Sequence, residues 1–280
     1  MTILVTGARG NIGARLVTAL ARDGHPVRAS TRDLSAPGLP VGVETVELDV
    51  TEPSDAAMVL QGIRAVFLYP VRGDVDRFLA AARDAGVEYV VLLSSPASFE
   101  AYEHDRHIGR AHRAVEKALE DSGLAHTLLY PSWLATNAAR DWAGQIRATG
   151  SVALPFPDAQ FTPIHPDDVA EVAAHLLNGT RPRPRLQILT GPESLRLREI
   201  AATLGEVLGT PIRIDEVSRR QALETRPAWM PEAVLEALLD AEAASVDVVA
   251  PVNNAVERLT GHPARTFRSW AERRKDVFRA

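Results

Sequence analysis

The sequence contains no cysteine, and only two of its 31 lysines and arginines, Lys117 and Lys275, are lysines. The absence of cysteine excludes disulfides, thiolate nucleophiles, and thiolate-bound zinc or iron–sulfur clusters of this chain's own. The scarcity of lysine leaves two candidates for any step that needs an amine. Aromatic residues make up only 5% of the 280 residues, but 46% are hydrophobic, which is enough to bury a full core.

The chain also lacks a strong excess of either charge and any long apolar run. Its net charge of -5 and its pI of about 5.9 argue against a protein that coats nucleic acid. No apolar run approaches the ~20 residues of a membrane-spanning helix. Residues 1–6 are typical of a strand and leave no room for a signal peptide. We therefore expect a cytoplasmic protein with a small-molecule substrate, no nucleic-acid or membrane partner, and either a monomeric or a homodimeric state.

Apolar runs alternate with helical patterns through the first half of the chain. The runs predict strands at residues 3–5, 26–30, 44–48, 65–69, 89–93 and 127–130. The patterns between them predict helices at residues 11–22, 56–62 (with Ser54 as N-cap), 75–85 and 107–122. Strands that are nearly all apolar are buried on both faces, as in a parallel sheet covered by helices. The sequence therefore predicts an α/β fold with a Rossmann-type doubly wound parallel sheet, which binds ligands at the carboxyl ends of its strands.

Three glycines lie between the first strand and the first helix, with the spacing GxxGxxG. Gly7 permits the tight turn out of the strand, Gly10 lets a pyrophosphate approach the backbone, and Gly13 lets the helix pack close to the sheet. The first N–H groups of the helix would then face the phosphates. The alternative is a purely structural turn. The loop residues that we expect to contact a dinucleotide are Gly7, Arg9, Gly10, Asn11, Ile12 and Gly13.

The end of the second strand favours NADPH over NADH. Enzymes that use NAD place an acid there for the ribose 2′-hydroxyl, but this chain has Thr31 and Arg32 and no acid before Asp33. Guanidinium groups of Arg32 and Arg9 suit a 2′-phosphate, and the alternative for either arginine is a solvated surface position. Asp49 and Val50 follow the third strand, where an adenine would lie. The alternative for Asp49 is a turn residue.

The second half of the chain has a looser pattern after Trp133. It predicts helices at residues 166–177, 197–208 and 231–244 and a strand at 186–189. We expect an NADP-binding Rossmann domain at residues 1–150. Residues 151–280 would form a smaller, mostly helical C-terminal region that completes the sheet and covers the substrate pocket.

The glycine spacing resembles that of the short-chain dehydrogenase/reductase superfamily, most of whose members use a YxxxK pair for proton transfer. The residues four positions after Tyr69, Tyr89, Tyr102 and Tyr130 are Gly73, Leu93, Arg106 and Leu134. The chain therefore has no YxxxK pair. Tyr102 and Arg106 are formally YxxxR, but they lie in a polar segment before a predicted helix and are not favoured as a catalytic pair.

The remaining motifs resemble the atypical NmrA-like branch of that superfamily. They are GARGNIG at 7–13, VRASTRD at 27–33, LLSS at 92–95, HRAVE at 112–116, SGLAHTLLYP at 122–131, Asn137, TPIHPDDVA at 162–170 and LTGPE at 189–193. This branch includes NADPH-dependent quinone reductases, isoflavone-reductase-like enzymes and redox-sensing regulators. The resemblance places His112 where isoflavone-reductase-like members have a catalytic lysine, and Tyr130 where the family often has arginine. His112 could instead be a surface residue or bond to Glu116 one turn later.

The expected nicotinamide and substrate site lies over the ends of the fourth to sixth strands. For the cofactor we expect contacts with Tyr69, Pro70, Ser94, Ser95 and Pro131. For the substrate we expect a pocket of Tyr69, Pro96, Tyr130, Trp133 and Asn137, in which the aromatic rings would hold a flat molecule or merely cap the sheet edge. His112, Tyr130 and Ser94 are the candidate catalytic residues. His104, His107 and His112 do not share one helix face, so we expect no metal.

The sequence thus predicts an NADPH-dependent oxidoreductase that transfers hydride to a quinone, an enone or a related conjugated carbonyl compound. Two alternatives remain open from the sequence. One is a non-catalytic NADP(H)-sensing regulator of NmrA type, and the other is a biosynthetic tailoring enzyme on the same fold.

Overall fold

The sheet is built from strands that match the predicted apolar runs closely. The computed structural model describes residues 2–35, 38–70, 73–99, 106–179 and 183–279. Tyr102 and His104 lie outside these ranges. The strands are β1 (Thr2–Val5), β2 (Val27–Thr31), β3 (Glu44–Glu47), β4 (Ile63–Leu68), β5 (Tyr89–Leu93), β6 (His126–Pro131), β7 (Ser151–Leu154), β8 (Gln160–Phe161), β9 (Leu186–Leu189), β10 (Leu195–Arg196) and β11 (Arg213–Glu216).

The main sheet has the strand order of a Rossmann fold. Within the described ranges it contains seven strands in the order β3-β2-β1-β4-β5-β6-β9. All its neighbouring pairs are parallel. The order reverses between β1 and β4, and ligands bind at the carboxyl ends next to such a switch point. The predicted α/β fold class is confirmed.

Helices cover both faces of this sheet and form most of the remaining chain. They are α1 (Gly13–Arg22), α2 (Ala56–Val59), α3 (Val75–Asp84), α4 (Arg106–Asp121), α5 (Thr136–Thr149), α6 (Pro166–Leu177), α7 (Leu197–Leu208), α8 (Arg219–Glu224), α9 (Glu232–Ala244), α10 (Ala255–Thr260) and α11 (Phe267–Arg274). Short 3₁₀ helices lie at Pro96–Ser98 and Lys275–Phe278. None of the helices in the described ranges is long and apolar enough to cross a membrane.

Two apolar layers enclose the sheet because successive strand residues point to opposite faces. On one face Tyr89, Val91 and Leu93 pack with α1 and α6. On the other face Val90 and Leu92 join Tyr130 and the apolar side of α4. A third cluster, which includes Trp142 of α5 and Trp270 of α11, lies in the second half of the chain. Strand β9, which comes after position 150, lies in the same sheet as β1 to β6, which come before it. The domain boundary predicted at position 150 stays a prediction.

Two local expectations are wrong. The chain after Trp133 does not loosen at once, because α5 follows and buries Ala138, Trp142 and Ile146 at helical spacing. Its many alanines give only a weak apolar signal, so the sequence of this helix does not show a clear helical period. Ser54 is not the N-cap of α2, since Asp55 occupies that position and makes no side-chain capping bond.

Candidate cofactor and substrate site

The glycine loop at the end of β1 is too tightly folded to accept side chains at its last glycine. A Cβ added to Gly13 would lie 2.2 Å from the carbonyl oxygen of Gly7, which is part of the rigid backbone. Gly7 itself has a φ of +59°, and the Cβ of Tyr69 would lie 3.1 Å from a Cβ built on it. The same close packing brings the start of α1 against the turn that follows β1.

The outer side of the loop fits a pyrophosphate. A Cβ on Gly10 would meet only the Gly7 carbonyl, at 3.1 Å, and nothing else within 4 Å. Among the described residues, no backbone carbonyl accepts a hydrogen bond from the N–H groups of Asn11, Ile12 or Gly13. Unpaired N–H groups at the positive end of a helix dipole are the usual contacts for phosphate oxygens. The residues of this loop therefore fit a dinucleotide cofactor.

Arg9 connects the glycine loop to the end of β2. Its guanidinium donates to the Thr31 hydroxyl oxygen at 3.0 Å and to the Asp33 carbonyl. Arg32 is exposed at the same edge. Two guanidinium groups beside the expected ribose position give this corner the positive charge that a 2′-phosphate requires.

Asp49 occupies a turn after β3. Its Oδ1 accepts from the Thr51 backbone N–H at 2.8 Å and from the Thr51 hydroxyl at 2.7 Å. These hydrogen bonds, with a smaller contribution from the Arg32 charge, lower the pKa of Asp49 below its usual value. The turn alternative for Asp49 is thus realised, and contact with an adenine stays a prediction. Val50 beside it is buried.

Tyr69 lies next to the glycine loop, immediately after β4. Its backbone N–H donates to the Thr6 hydroxyl at 2.8 Å, and that hydroxyl donates to the Phe67 carbonyl at 3.0 Å. These two hydrogen bonds of the Thr6 hydroxyl hold the carboxyl ends of β1 and β4 together. Tyr69 is 43% exposed, so it is available to a ligand at this edge. Pro70 follows it and ends the strand.

A hydrogen-bonded group of polar side chains lies at the carboxyl end of β5. The Ser94 hydroxyl donates to Oε1 of Glu116, and its oxygen lies 3.2 Å from Nδ1 of His112. Glu116 is only 1% exposed. The guanidinium of Arg113 lies 3.3 Å from its Oε2. His112 and Glu116 are one turn apart on α4, and Ser94 joins them from the neighbouring strand end.

Tyr130 belongs to the same group. Its hydroxyl donates to Oε1 of Glu116 at 2.7 Å and accepts from the Ser98 hydroxyl at 2.6 Å. Burial, and to a lesser degree the nearby Glu116 carboxylate, raises the pKa of Tyr130 well above its usual value. The three candidate catalytic residues of the sequence, His112, Tyr130 and Ser94, are thus brought together around one carboxylate.

The 3₁₀ helix after β5 supports this group from one side. Ser95 is its N-cap and accepts from the Ala97 N–H at 3.2 Å, with Pro96 in the first turn. Helix α4 packs closely on it, because a Cβ on Gly109 would lie 2.2 Å from the Ala97 carbonyl oxygen. Gly109 therefore sets how near α4, and with it His112, approaches the end of β5.

The aromatic residues expected in the substrate pocket have separate neighbours. The Tyr130 ring is buried and packs edge-on against Phe99, with ring centroids 5.1 Å apart. Trp133 instead packs against Trp142 and Phe161, with ring centroids 6.1 and 6.3 Å apart. A slot formed by Tyr69, Tyr130 and Trp133 together stays a prediction.

Two further expected residues lie close to the glycine loop. Asn137 is half-buried in the first turn of α5. Its neighbour Thr136 accepts from the Asn11 side chain at 2.7 Å, which links α5 to the glycine loop. Pro131 is the last residue of β6 and is paired with Leu189 of β9.

Glu116 was not identified as a site residue from the sequence. A signal for it existed, because Glu116 lies on the same face of α4 as Val115 and Leu119, which are both buried. A carboxylate on an apolar helix face needs a hydrogen-bonding partner. Ser98 and Gly109 were missed as well, since only the close packing of α4 on the 3₁₀ helix gives them a role.

Asp168, Glu171 and His262 form the group of possible metal ligands found in the described ranges, but an arginine fills its centre. Arg265 donates from its backbone N–H to Oδ2 of Asp168 at 2.8 Å, and its guanidinium lies 2.9 Å from Oε1 of Glu171. His262 Nε2 lies 2.6 Å from the other Glu171 oxygen. The group therefore joins α6 to the segment before α11 through ion pairs.

The comparisons with known proteins agree with this geometry. The NAD(P)H-binding family matches residues 7–180. A (4-alkanoyl-5-oxo-2,5-dihydrofuran-3-yl)methyl phosphate reductase of Streptomyces griseus is 38% identical, over 99% of both chains. An NAD(P)H azoreductase of Xenophilus azovorans is 31% identical, also over 99% of both chains. The fold is similar to that of an Escherichia coli NADPH-dependent quinone oxidoreductase, with a TM-score of 0.81 and 22% identity over 99% of both chains.

The match to the NAD(P)H-binding family covers more than half of the chain, and it includes the glycine loop whose outer side fits a dinucleotide. The strand order and the absence of a YxxxK pair agree with the atypical branch that the sequence motifs resemble. The chain belongs to the NAD(P)H-binding family and is an NAD(P)H-dependent oxidoreductase, whose sequence motifs resemble those of the NmrA-like branch.

Proposed function

We propose that this protein is an NADPH-dependent reductase of conjugated carbonyl compounds, in which His112 supplies the proton. The observation that carries the proposal is the hydrogen-bonded group of Ser94, His112 and Glu116 at the end of β5. In the sheet, β5 is two strands from β1, which carries the glycine loop. A dinucleotide bound at that loop extends along the carboxyl ends of the strands, which brings its nicotinamide toward this group.

The preference for NADPH rests on the positive corner at the end of β2. Arg9 is held there by Thr31, and Arg32 is exposed beside it. An acid that would hold the 2′-hydroxyl of NADH is lacking before Asp33. We expect Arg9→Ala and Arg32→Ala each to weaken NADPH binding about tenfold and NADH binding little. Arg22→Ala is the matched control, since this exposed arginine pairs with Asp23 at the other end of α1.

An enone-type acceptor is favoured by the relative from Streptomyces griseus. The name of its substrate describes a ring C=C bond that is conjugated with two carbonyl groups. The cofactor, when bound, supplies a hydride to the β-carbon of such a bond. The π-electron pair then moves onto the carbonyl oxygen and a proton completes the saturated product. A quinone takes up one hydride and one proton in the same way to give the hydroquinone, so quinones form the second class of acceptor to be tested.

The chain's own contribution is to position the acceptor and to provide the proton. An imidazole suits this role because histidine is the side chain that most often transfers protons near neutral pH. Ser94 stands within hydrogen-bonding distance of the His112 imidazole. Lys117 points elsewhere, since it pairs with Asp121 at 2.7 Å at the far end of α4.

The test is a panel of butenolides, acyclic enones, quinones and azo compounds with NADPH or NADH, followed at the nicotinamide absorbance. We expect turnover with conjugated carbonyl compounds, faster with NADPH than with NADH. Tight NADPH binding without turnover of any acceptor would contradict the proposal. In that case, different affinities of a partner protein for the oxidised and reduced complexes would support the sensor alternative.

A further inference from the structure

Glu116 receives more hydrogen bonds than a structural ion pair on a helix requires. Its Oε1 accepts from Ser94 and from Tyr130, and its Oε2 lies 3.3 Å from the Arg113 guanidinium. The residue is 1% exposed, whereas Arg113 is 45% exposed. A buried carboxylate persists only where donors surround it. Two of these donors come from the ends of β5 and β6, so the carboxylate ties α4 to the predicted substrate side of the sheet.

The chemistry of these groups fixes the direction of each hydrogen bond. An ionised carboxylate only accepts, so the single hydroxyl proton of Ser94 points to Glu116. The oxygen of Ser94 can then serve His112 only as an acceptor. The Nδ1 of His112, 3.2 Å away, must therefore carry the proton in this contact. In the neutral ring the other nitrogen, Nε2, is then the atom that gains and loses a proton.

Tyr130 has a different role from the one that its position in the sequence suggests. Its hydroxyl also donates to Oε1 of Glu116, its ring is 3% exposed, and burial raises its pKa. A phenol in this state is a poor proton donor to substrate. It acts as the second donor that holds the carboxylate in place.

We propose that Glu116 is a positioning residue that acts through Ser94 to keep the proton of neutral His112 on Nδ1, so that Nε2 exchanges the proton with substrate. Its catalytic meaning rests on the proposed function, in which His112 is the acid. The hydrogen bonds among Glu116, Ser94 and His112 involve no change of oxidation state. They fix which nitrogen of His112 delivers the proton that neutralises the charge left by hydride transfer.

The tautomer of His112 can be measured without any turnover. In the ¹⁵N-labelled protein, at a pH where the ring is neutral, long-range ¹H–¹⁵N spectra distinguish Nδ1–H from Nε2–H. The chain has 8 histidines, and the signals that vanish in His112→Gln identify the ring. We expect wild-type His112 to carry its proton on Nδ1.

Two variants and their controls test the relay from Glu116 to His112. Glu116→Met keeps the length of the side chain but removes the acceptor, which frees the Ser94 hydroxyl to donate to His112 and moves the proton to Nε2. Glu120→Met is the matched control, because Glu120 is one turn away and also contacts Arg113, at 3.2 Å. Ser94→Ala removes only the hydroxyl oxygen that connects Glu116 to His112. Its matched control is Ser98→Ala, whose hydroxyl contacts Tyr130 instead.

We expect the proton to move toward Nε2 in Glu116→Met and Ser94→Ala and to stay on Nδ1 in both controls. Glu116→Gln keeps a carbonyl acceptor and should retain the wild-type tautomer. With a conjugated acceptor, Glu116→Met should lower kcat about tenfold or more with little change in KM, as for other partners that orient an imidazole. If Glu116→Met does not fold, Ser94→Ala gives the same decisive measurement.

The proposal is overturned if wild-type His112 carries its proton on Nε2, or if the tautomer is unchanged in Ser94→Ala. These results do not depend on finding a substrate. Absence of turnover with every acceptor, together with an Nδ1 proton that moves in Ser94→Ala, would contradict the proposed function and still support the link from Glu116 to His112.

Discussion

The two ends of the central strands contain similar residues in different chemical settings. At the amino end, Tyr89 is 2% exposed and its hydroxyl lies 2.5 Å from the Thr127 hydroxyl, which donates to the Pro184 carbonyl. The guanidinium of Arg183 lies 4.1 Å from the centre of its ring. At the carboxyl end, Tyr130 is equally buried, but its hydroxyl meets the carboxylate of Glu116.

Each end also holds a histidine. His126 at the amino end is buried, and its Nδ1 lies 2.7 Å from the backbone carbonyl of Leu124. His112 at the carboxyl end is joined through Ser94 to a side-chain carboxylate. Backbone carbonyls and a cation over a ring suit a structural role, whereas a carboxylate linked to an imidazole suits proton transfer. Residue type alone therefore does not identify the chemistry of either end.

The largest expected difference between the ends concerns the histidines. We expect His112→Ala to lower kcat for a conjugated acceptor about 100-fold, because a positioned acid commonly contributes 10²–10⁴-fold. NADPH binding, measured by fluorescence titration, should change little. His126→Ala should leave kcat unchanged and lower stability. Equal kcat losses in the two variants would remove the functional distinction between the ends.

A second difference concerns the glycine loop, which belongs to the carboxyl end alone. Gly13→Ala places a Cβ against the Gly7 carbonyl, and such overpacking costs about 1–3 kcal/mol. We expect NADPH binding, measured by calorimetry, to weaken about tenfold or more. The matched control is Gly144→Ala in α5, where a Cβ meets nothing within 4 Å. This control should bind NADPH normally and gain roughly 0.5–1 kcal/mol of stability.

The tyrosines should differ less in turnover than in stability. Tyr130→Phe removes a hydrogen bond to a charged group and should lower the free energy of unfolding by about 1.5–3 kcal/mol, with kcat reduced less than about tenfold. Tyr89→Phe removes a neutral hydrogen bond and should cost about 0.5–1.5 kcal/mol with unchanged kcat. Urea unfolding and steady-state kinetics measure both. A kcat loss in Tyr130→Phe as large as that in His112→Ala would make Tyr130 the acid.

The smallest expected effect is at the amino end. Arg183→Ala removes the cation over the Tyr89 ring and a bond to the Leu176 carbonyl, and should lower stability by about 1–2 kcal/mol without affecting kcat. Arg185→Ala is the control, since its side chain is 67% exposed and its nearest carboxylate oxygen, on Glu120, is 3.8 Å away. That variant should stay within about 0.5 kcal/mol of wild type in thermal unfolding.

Much of the fold follows from local patterns. The strands at residues 89–93 and 186–189 and the helices at 166–177 and 197–208 have the bounds that the sequence predicts. Each has a clear apolar period or a Pro or Gly at its end. Helix α5 lacks such a signal, because it is rich in alanine and begins without a capping side chain. Its burial against Trp133, β7 and the 3₁₀ helix at Lys275–Phe278 is decided by packing and not by its own sequence.

The candidate site divides in the same way. The sequence by itself determined the glycine loop, since GxxGxxG needs only its neighbouring strand and helix to have meaning, and it excluded cysteine chemistry and a YxxxK pair. Only the tertiary structure decided that Ser94 and Tyr130 meet at Glu116 and that Ser94 also contacts His112, because the register of β5 with β6 and the rotation of α4 bring together groups that are 14 to 22 residues apart. Burial strengthens the hydrogen bonds that this carboxylate accepts from Ser94, Tyr130 and Arg113, an effect that no local pattern of residues encodes.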